Sequence, residues 1–97
     1  MTTLFFAVFL GAAEVAAGDP VQESTVDIGV ASAQSAAITG TDRKRHRVRV
    51  FADINCFATW GENPTALNDG TSGRPLEAGS AEYFDIEAGH KIAVIER

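Results

Sequence analysis

From Val48 to Trp60 the apolar residues fall on every second position. Val48, Val50, Ala52, Ile54, Cys56, Ala58 and Trp60 take the even side, and Arg47, Arg49, Asp53, Asn55 and Thr59 stand among the odd positions. Successive side chains of an extended chain point to opposite faces, so a period of two puts one face on a core and the other in water. A helix would scatter the same residues around its circumference. The run therefore predicts β-structure. Asp53 and Asn55 disfavour one continuous strand, and a break or bulge is expected there, separating two paired strands. Phe51 and Phe57 lie on the odd side, where they would serve a second contact.

Other segments repeat this pattern. Ser80 to Glu87 and His90 to Glu96 read as short strands around Ala88-Gly89, which predicts a tight hairpin with a positive φ at Gly89. Phe84, Ile86, Ile92 and Val94 would then share compatible faces. Val26, Ile28 and Val30 alternate as well, ahead of an Ala- and Ser-rich stretch from Ala31 to Ile38 and a turn at Gly40. With no convincing helix, these short strands predict an all-β chain: a single small antiparallel β-sandwich or β-barrel spanning residues 1–97 as one domain. A composition of 45% hydrophobic and 22% charged residues is far from that of a disordered chain, so a packed core is expected.

Gly61 to Gly79 resists regular structure and reads as a long irregular loop. Asn68-Asp69-Gly70 and Gly73-Arg74-Pro75 are turn-forming. The stretch is either a plain solvent loop or a contact with a partner, in which case Asn68, Asp69 and Arg74 are the candidate contacts. The apolar start, Leu4 to Leu10 with Val15-Ala16-Ala17 beyond it, has some features of an export signal. No Lys or Arg precedes it, and Glu14 interrupts it well short of the roughly 20 residues a membrane span needs. Residues 1–20 are therefore expected as an ordered strand or arm packed against another subunit, with Phe5 and Phe9 as its contacts.

Chemistry is sparse. Cys56 is the sole cysteine, which excludes an intramolecular disulfide and a thiolate metal cluster; its apolar neighbours predict a small core residue. His46 and His90 are the only histidines and read as surface residues. Asp53, Asp85 and Glu87 could pair with them, but no spacing assembles a nucleophile, a base and an orienting acid. Glu87-Ala88-Gly89-His90 has the look of a cupin turn without that family's paired metal-binding histidines. No phosphate-binding or dinucleotide motif occurs. The expectation is a non-enzyme with no catalytic residue, cofactor or metal.

Charge is concentrated in Arg43-Lys44-Arg45-His46-Arg47-Val48-Arg49, which holds five of the eight basic residues. Arg45, Arg47 and Arg49 would project from one side of a strand, where they are balanced either by the chain's own thirteen acids or by an acidic partner. Nucleic acid is disfavoured as that partner by the net charge of −5.

Trp60 to Ala66, Pro75 to Gly79, Glu82 to Ile86 and Gly89 to Ile95, together with Ser32 to Ile38 upstream, resemble a group of small structural proteins of tailed bacteriophages. The resemblance covers about two thirds of the chain, from the mid-thirties onward; the Asn68-to-Arg74 insertion and the apolar N-terminus depart from it. It implies a virion component assembled in the host cytoplasm. The leading form is a capsid decoration, or cement, protein that binds the outside of the head and clamps major capsid subunits. It would act as a homo-oligomer, with a trimer favoured, and without membrane contact. A neck, tail or fibre-base protein is the alternative, and a secreted bacterial binding module comes third.

Overall fold

The computed structural model describes residues 2–9, 22–38, 45–68 and 73–97. Among these residues there is no helix. The strands are β1 (Thr3–Phe9), β2 (Gln22–Asp27), β3 (Ala33–Gln34), β4 (Arg45–Ala52), β5 (Cys56–Gly61), β6 (Arg74–Leu76), β7 (Ala81–Glu87) and β8 (Lys91–Glu96). They form two antiparallel sheets, ordered β2-β1-β4-β7 and β3-β8-β5-β6. The sheets pack face to face as a sandwich and do not close into a barrel.

The wiring is a rolled hairpin. Antiparallel partners nest around the β5–β6 connection: β5 with β6, β4 with β7, and β3 with β8. Rolling this ladder brings β4 against β1 and β5 against β8. That is the arrangement of a jelly roll, here with the N-terminal strand seated between β2 and β4.

The break expected at 53–55 is present, but β4 and β5 do not pair with one another. They belong to opposite sheets. Asp53 and Asn55 build the corner between them, because short polar side chains can replace backbone partners in a turn. Asp53 Oδ1 accepts the Thr3 N–H at 2.7 Å, and Asn55 Oδ1 accepts the Ala78 N–H at 2.9 Å.

The hairpin expected at Ala88-Gly89 is likewise a corner. Gly89 has φ 90° and His90 N–H donates to Glu87 O at 3.1 Å, but β7 lies in one sheet and β8 in the other. The positive φ falls on the second central residue, as in a type II turn, whose twist splays the flanking strands instead of pairing them. Ala78-Gly79 repeats the device between β6 and β7, with φ 80° at Gly79 and Ser80 N–H on Glu77 O at 3.2 Å.

The core lies between the sheets. Leu4, Phe6, Val8, Val48, Val50 and Ile86 from one sheet meet Cys56, Ala58, Leu76, Ile92 and Val94 from the other, all buried. At one end the Trp60 and Phe84 rings cross the gap with centroids 4.6 Å apart. The N-terminal run is ordered as a strand over residues 3–9. It is an interior strand of the chain's own sheet, flanked by β2 and β4; residues 10–20 lie outside the described residues.

Smaller departures have local causes. Val30 is 86% exposed because β2 ends at Asp27, and only Ile28 continues its buried face. Within the Ala- and Ser-rich stretch only Ala33–Gln34 is a strand, and just past it the Ser35 hydroxyl, in place of a backbone carbonyl, accepts the Ile92 N–H at 2.9 Å.

The stretch from Gly61 to Gly79 is neither one loop nor wholly free. Residues 61–67 fold back over the outer face of the β3-β8-β5-β6 sheet, where Ala66 packs on Ala93 and Ile95, with Phe57 alongside. Gln34 Nε2 donates to Asn63 Oδ1 at 2.9 Å and to Pro64 O at 2.7 Å, and Ala66 N–H donates to Ser32 Oγ at 2.9 Å. Then β6 forms the sheet edge, where Pro75 is tolerated. Gly73 precedes it with φ 83°, and a Cβ there would sit 2.8 Å from the Ala58 carbonyl oxygen.

Two stability outcomes follow from this packing. Gly73→Ala combines positive-φ strain with a backbone clash and is expected to cost about 2–3 kcal/mol, whereas Gly89→Ala, with open space around it, costs about 1 kcal/mol. Leu4→Ala is expected to cost about 2–4 kcal/mol and Phe5→Ala less than about 1 kcal/mol, because adjacent residues of β1 face core and solvent. Urea melts of the four variants check both pairs; equal losses at positions 4 and 5 would sink the assignment of β1 to the core.

Candidate functional site

Alternation that buries the even residues of β4 sends its odd residues outward, and register lines them up with their neighbours. Phe51 pairs with Phe5, Arg49 with Ala7 and Arg47 with Phe9 on β1. On β7, Arg49 pairs with Tyr83, Arg47 with Asp85 and Arg45 with Glu87. On β2, Thr25 stands beside Phe5 and Glu23 beside Ala7. The outer face of this sheet therefore carries a basic column along β4, aromatic residues at one end and acidic residues on the two edge strands, β2 and β7.

The aromatic end is partly open. Phe5 is 46% and Tyr83 43% exposed. The Phe5 and Phe51 rings are tilted by 52° with centroids 6.2 Å apart. Together with Ala7, Glu23, Thr25 and Arg49 they border a shallow concavity of about 490 Å³. Its lining mixes aromatic rings with polar groups and includes one cation, Arg49, and one anion, Glu23.

The three arginines are not equivalent. Arg47 Nε donates to Asp85 Oδ1 at 2.6 Å, so the chain's own acid answers this charge. Both partners are partly exposed, which holds such a pair to about 1 kcal/mol or less. Glu87, opposite Arg45, instead pairs with His90 at 2.9 Å. Among the described residues no carboxylate pairs with Arg45 or Arg49, and both are exposed. Two guanidiniums thus remain available on this face.

The structure brings only some of the anticipated contacts together. Arg45, Arg49 and Phe5 share the open face. Arg47 shares it but is engaged, and Phe9, on the same parity, is buried at 8% and offers no surface. Arg74 lies on the opposite sheet with its guanidinium over the Phe84 ring, 5.5 Å from the centroid, so it seals an end of the sandwich. Asn68 is exposed just past the 61–67 segment, which covers the opposite sheet, and Asp69 lies outside the described residues. Tyr83 and Glu23 belong to the face and have no signature of their own in the sequence. The odd-side placement of Tyr83 is legible in residues 81–87, but its position beside Arg49 depends on β7 pairing with β4.

The few reactive groups are occupied by the fold. Cys56 is a fully buried free thiol, as its neighbours suggested. Burial pushes it from its ordinary 9.0 up to about 11, with Arg97 opposing and Asp53 adding to the rise. His46 is not a surface residue: it points inward from β4 and is 4% exposed. Even-numbered positions of β4 face the core, and residue 46 shares that parity. Among the described residues no three His, Cys, Asp or Glu side chains come close enough to hold a metal ion, and no helix is long and apolar enough to cross a membrane. No family model, no curated protein and no solved structure matches the chain.

The raised thiol has a defined pH signature. Folding keeps the proton that an unfolded chain releases above about pH 9, so this contribution to stability is whole below pH 9 and is lost as pH rises through 11. Native protein should resist alkylation by iodoacetamide at about pH 8, and its stability should fall more steeply between pH 9 and 11 than that of Cys56→Val. Rapid labelling of the folded protein would contradict this burial.

Proposed function

We propose that this protein is a structural subunit of a tailed-bacteriophage particle: a decoration protein that binds the outside of the head and ties neighbouring major capsid subunits together. The observation that carries the reading is the outer face of the β2-β1-β4-β7 sheet, which presents Phe5, Tyr83, Arg45 and Arg49 on a rigid framework. Aromatic and arginine side chains are what protein interfaces use as anchors, since they combine large apolar area with directional charge. The resemblance over the C-terminal two thirds supplies the phage context. Jelly rolls also occur in viral capsid, lectin and cupin domains, so topology is compatible with this role without selecting it.

The mechanism requires area and no chemistry. Burying on the order of 800 Å² per partner at each contact, repeated over a shell, favours the assembled state because the protein binds only folded, correctly spaced neighbours. A homo-oligomer, with a trimer favoured, would place several such faces at a junction of capsomers. The tail reading depended on the Gly61-to-Gly79 loop as a contact surface. Pro64 and Ala66 are turned onto the chain's own sheet, while Glu62, Asn63, Thr65, Leu67 and Asn68 stay exposed, so a neck, tail or fibre-base role through this segment remains the alternative.

Counting copies in purified particles by quantitative mass spectrometry tests this placement. Hundreds of copies are expected for head decoration, whereas about a dozen or fewer, the number that a single closed ring supplies, would overturn it. In the same particles, R45S together with R49S is expected to lower occupancy at about 0.15 M salt, while R47S changes it less because Asp85 already answers that charge.

A further inference from the structure

Resting on the docking role above, we propose that the outer face of the β2-β1-β4-β7 sheet binds an extended segment of a partner protein with two acidic side chains four residues apart and an apolar side chain two residues beyond. The spacing follows from the strand. Arg45 and Arg49 stand four positions apart on β4, which separates them by about 13 Å at roughly 3.3 Å per residue. Arg47, between them, is held by Asp85 at 2.6 Å, so the position facing it needs no charge. Two residues past Arg49, about 7 Å further along, lie Phe51 and its cross-strand neighbour Phe5. An extended partner has the same rise, so its alternate side chains meet acid-seeking, neutral, acid-seeking and apolar sites in turn.

Charge fixes both the chemistry and the path. Exposed guanidiniums without carboxylates gain charge-assisted hydrogen bonds from Asp or Glu, bidentate where geometry allows. Glu23 and Asp27 on β2 and Asp85 and Glu87 on β7 flank the basic column. These acids repel an acidic segment laid across the sheet and confine it along β4. They equally oppose a nucleic-acid strand, whose phosphates would approach both flanks of a chain of net charge −5. A second copy meeting face to face with β1 over β4 would set the β2 acids against the β7 acids.

The test uses the full chain, isotope-labelled, titrated with a synthetic peptide containing Glu-Ser-Thr-Ser-Glu-Ser-Phe and with one of the reversed order, since either chain direction satisfies the spacing. One of the two is expected to shift the amide signals of Phe5, Arg45, Arg49, Phe51 and Tyr83. Replacing both peptide Glu by Gln, or the protein's Arg45 and Arg49 by Ala, should weaken binding about tenfold, and raising salt to about 0.5 M should do the same. The inference is overturned if the Gln peptide binds as well, if spacing the acids three apart makes no difference, or if neither peptide perturbs the face. It is equally overturned if a single-stranded oligonucleotide shifts the same signals more strongly, or if the free protein dimerises through this face. Failure here with hundreds of copies still present on particles would leave the decoration role intact and remove the peptide site. Peptide binding by a protein absent from particles would do the opposite.

Discussion

Everything else in this molecule depends on the apolar contact between the inner faces of its two sheets. Leu4, Val8, Val48, Val50 and Ile86 on one side and Cys56, Ala58, Leu76, Ile92 and Val94 on the other are each at most 2% exposed. Neither sheet could keep an apolar face in water, and removing that area from solvent is the main force holding the pair together. The chain satisfies it by crossing repeatedly: β2 to β3, β3 to β4, β4 to β5, β6 to β7 and β7 to β8 all change sheets. The corners with described residues are built from polar or glycine-containing segments, and the side chains of Asp53 and Asn55 or the positive φ of Gly79 and Gly89 supply what a regular strand could not.

Once the inner faces are matched, the two outer faces have different fates. On the β3-β8-β5-β6 sheet, Ala93, Ile95 and Phe57 would form an apolar surface, and residues 61–67 fold over it, tied down through Gln34 and Ser32. On the β2-β1-β4-β7 sheet the odd residues of β4 are mostly arginines, which tolerate water, and Phe5 and Tyr83 remain partly open. The asymmetry explains why the functional reading rests on one face alone. Cys56 lies in the core, His46 points inward, and His90 is paired with Glu87.

The alternation of residues 48–60 made the inner and outer sides of β4 and β5 legible without a structure, and burial follows it through both strands from His46 to Ala58, with Ile54 only half-buried at the corner. The interruption at Asp53 and Asn55 was legible too, as was the turn at Gly89. Where those turns lead was not. A strand's own pattern reports which side is apolar but carries no record of its lateral neighbour, so Ala88-Gly89 looks like a hairpin whether its strands pair or part. The positive φ on the second central residue gives a turn that splays its strands, in keeping with β7 and β8 lying in different sheets.

The same limit governs the candidate site. Sequence alone determined that this chain is all-β, that Arg45, Arg47 and Arg49 share one face of one strand, and that Cys56 belongs inside, because each is a local consequence of period-two geometry. Tertiary structure decided that Asp85 lies within reach of Arg47 and that Phe5 stands beside Phe51, while Phe9 is covered and Arg74 lies over the Phe84 ring. Arg47 and Asp85 are 38 positions apart in the chain, and Phe5 and Phe51 are further apart still. Alternation within a strand repeats every two residues and holds no information over such distances; lateral pairing between strands, settled only when the two sheets close on a shared core, is what brings these side chains together.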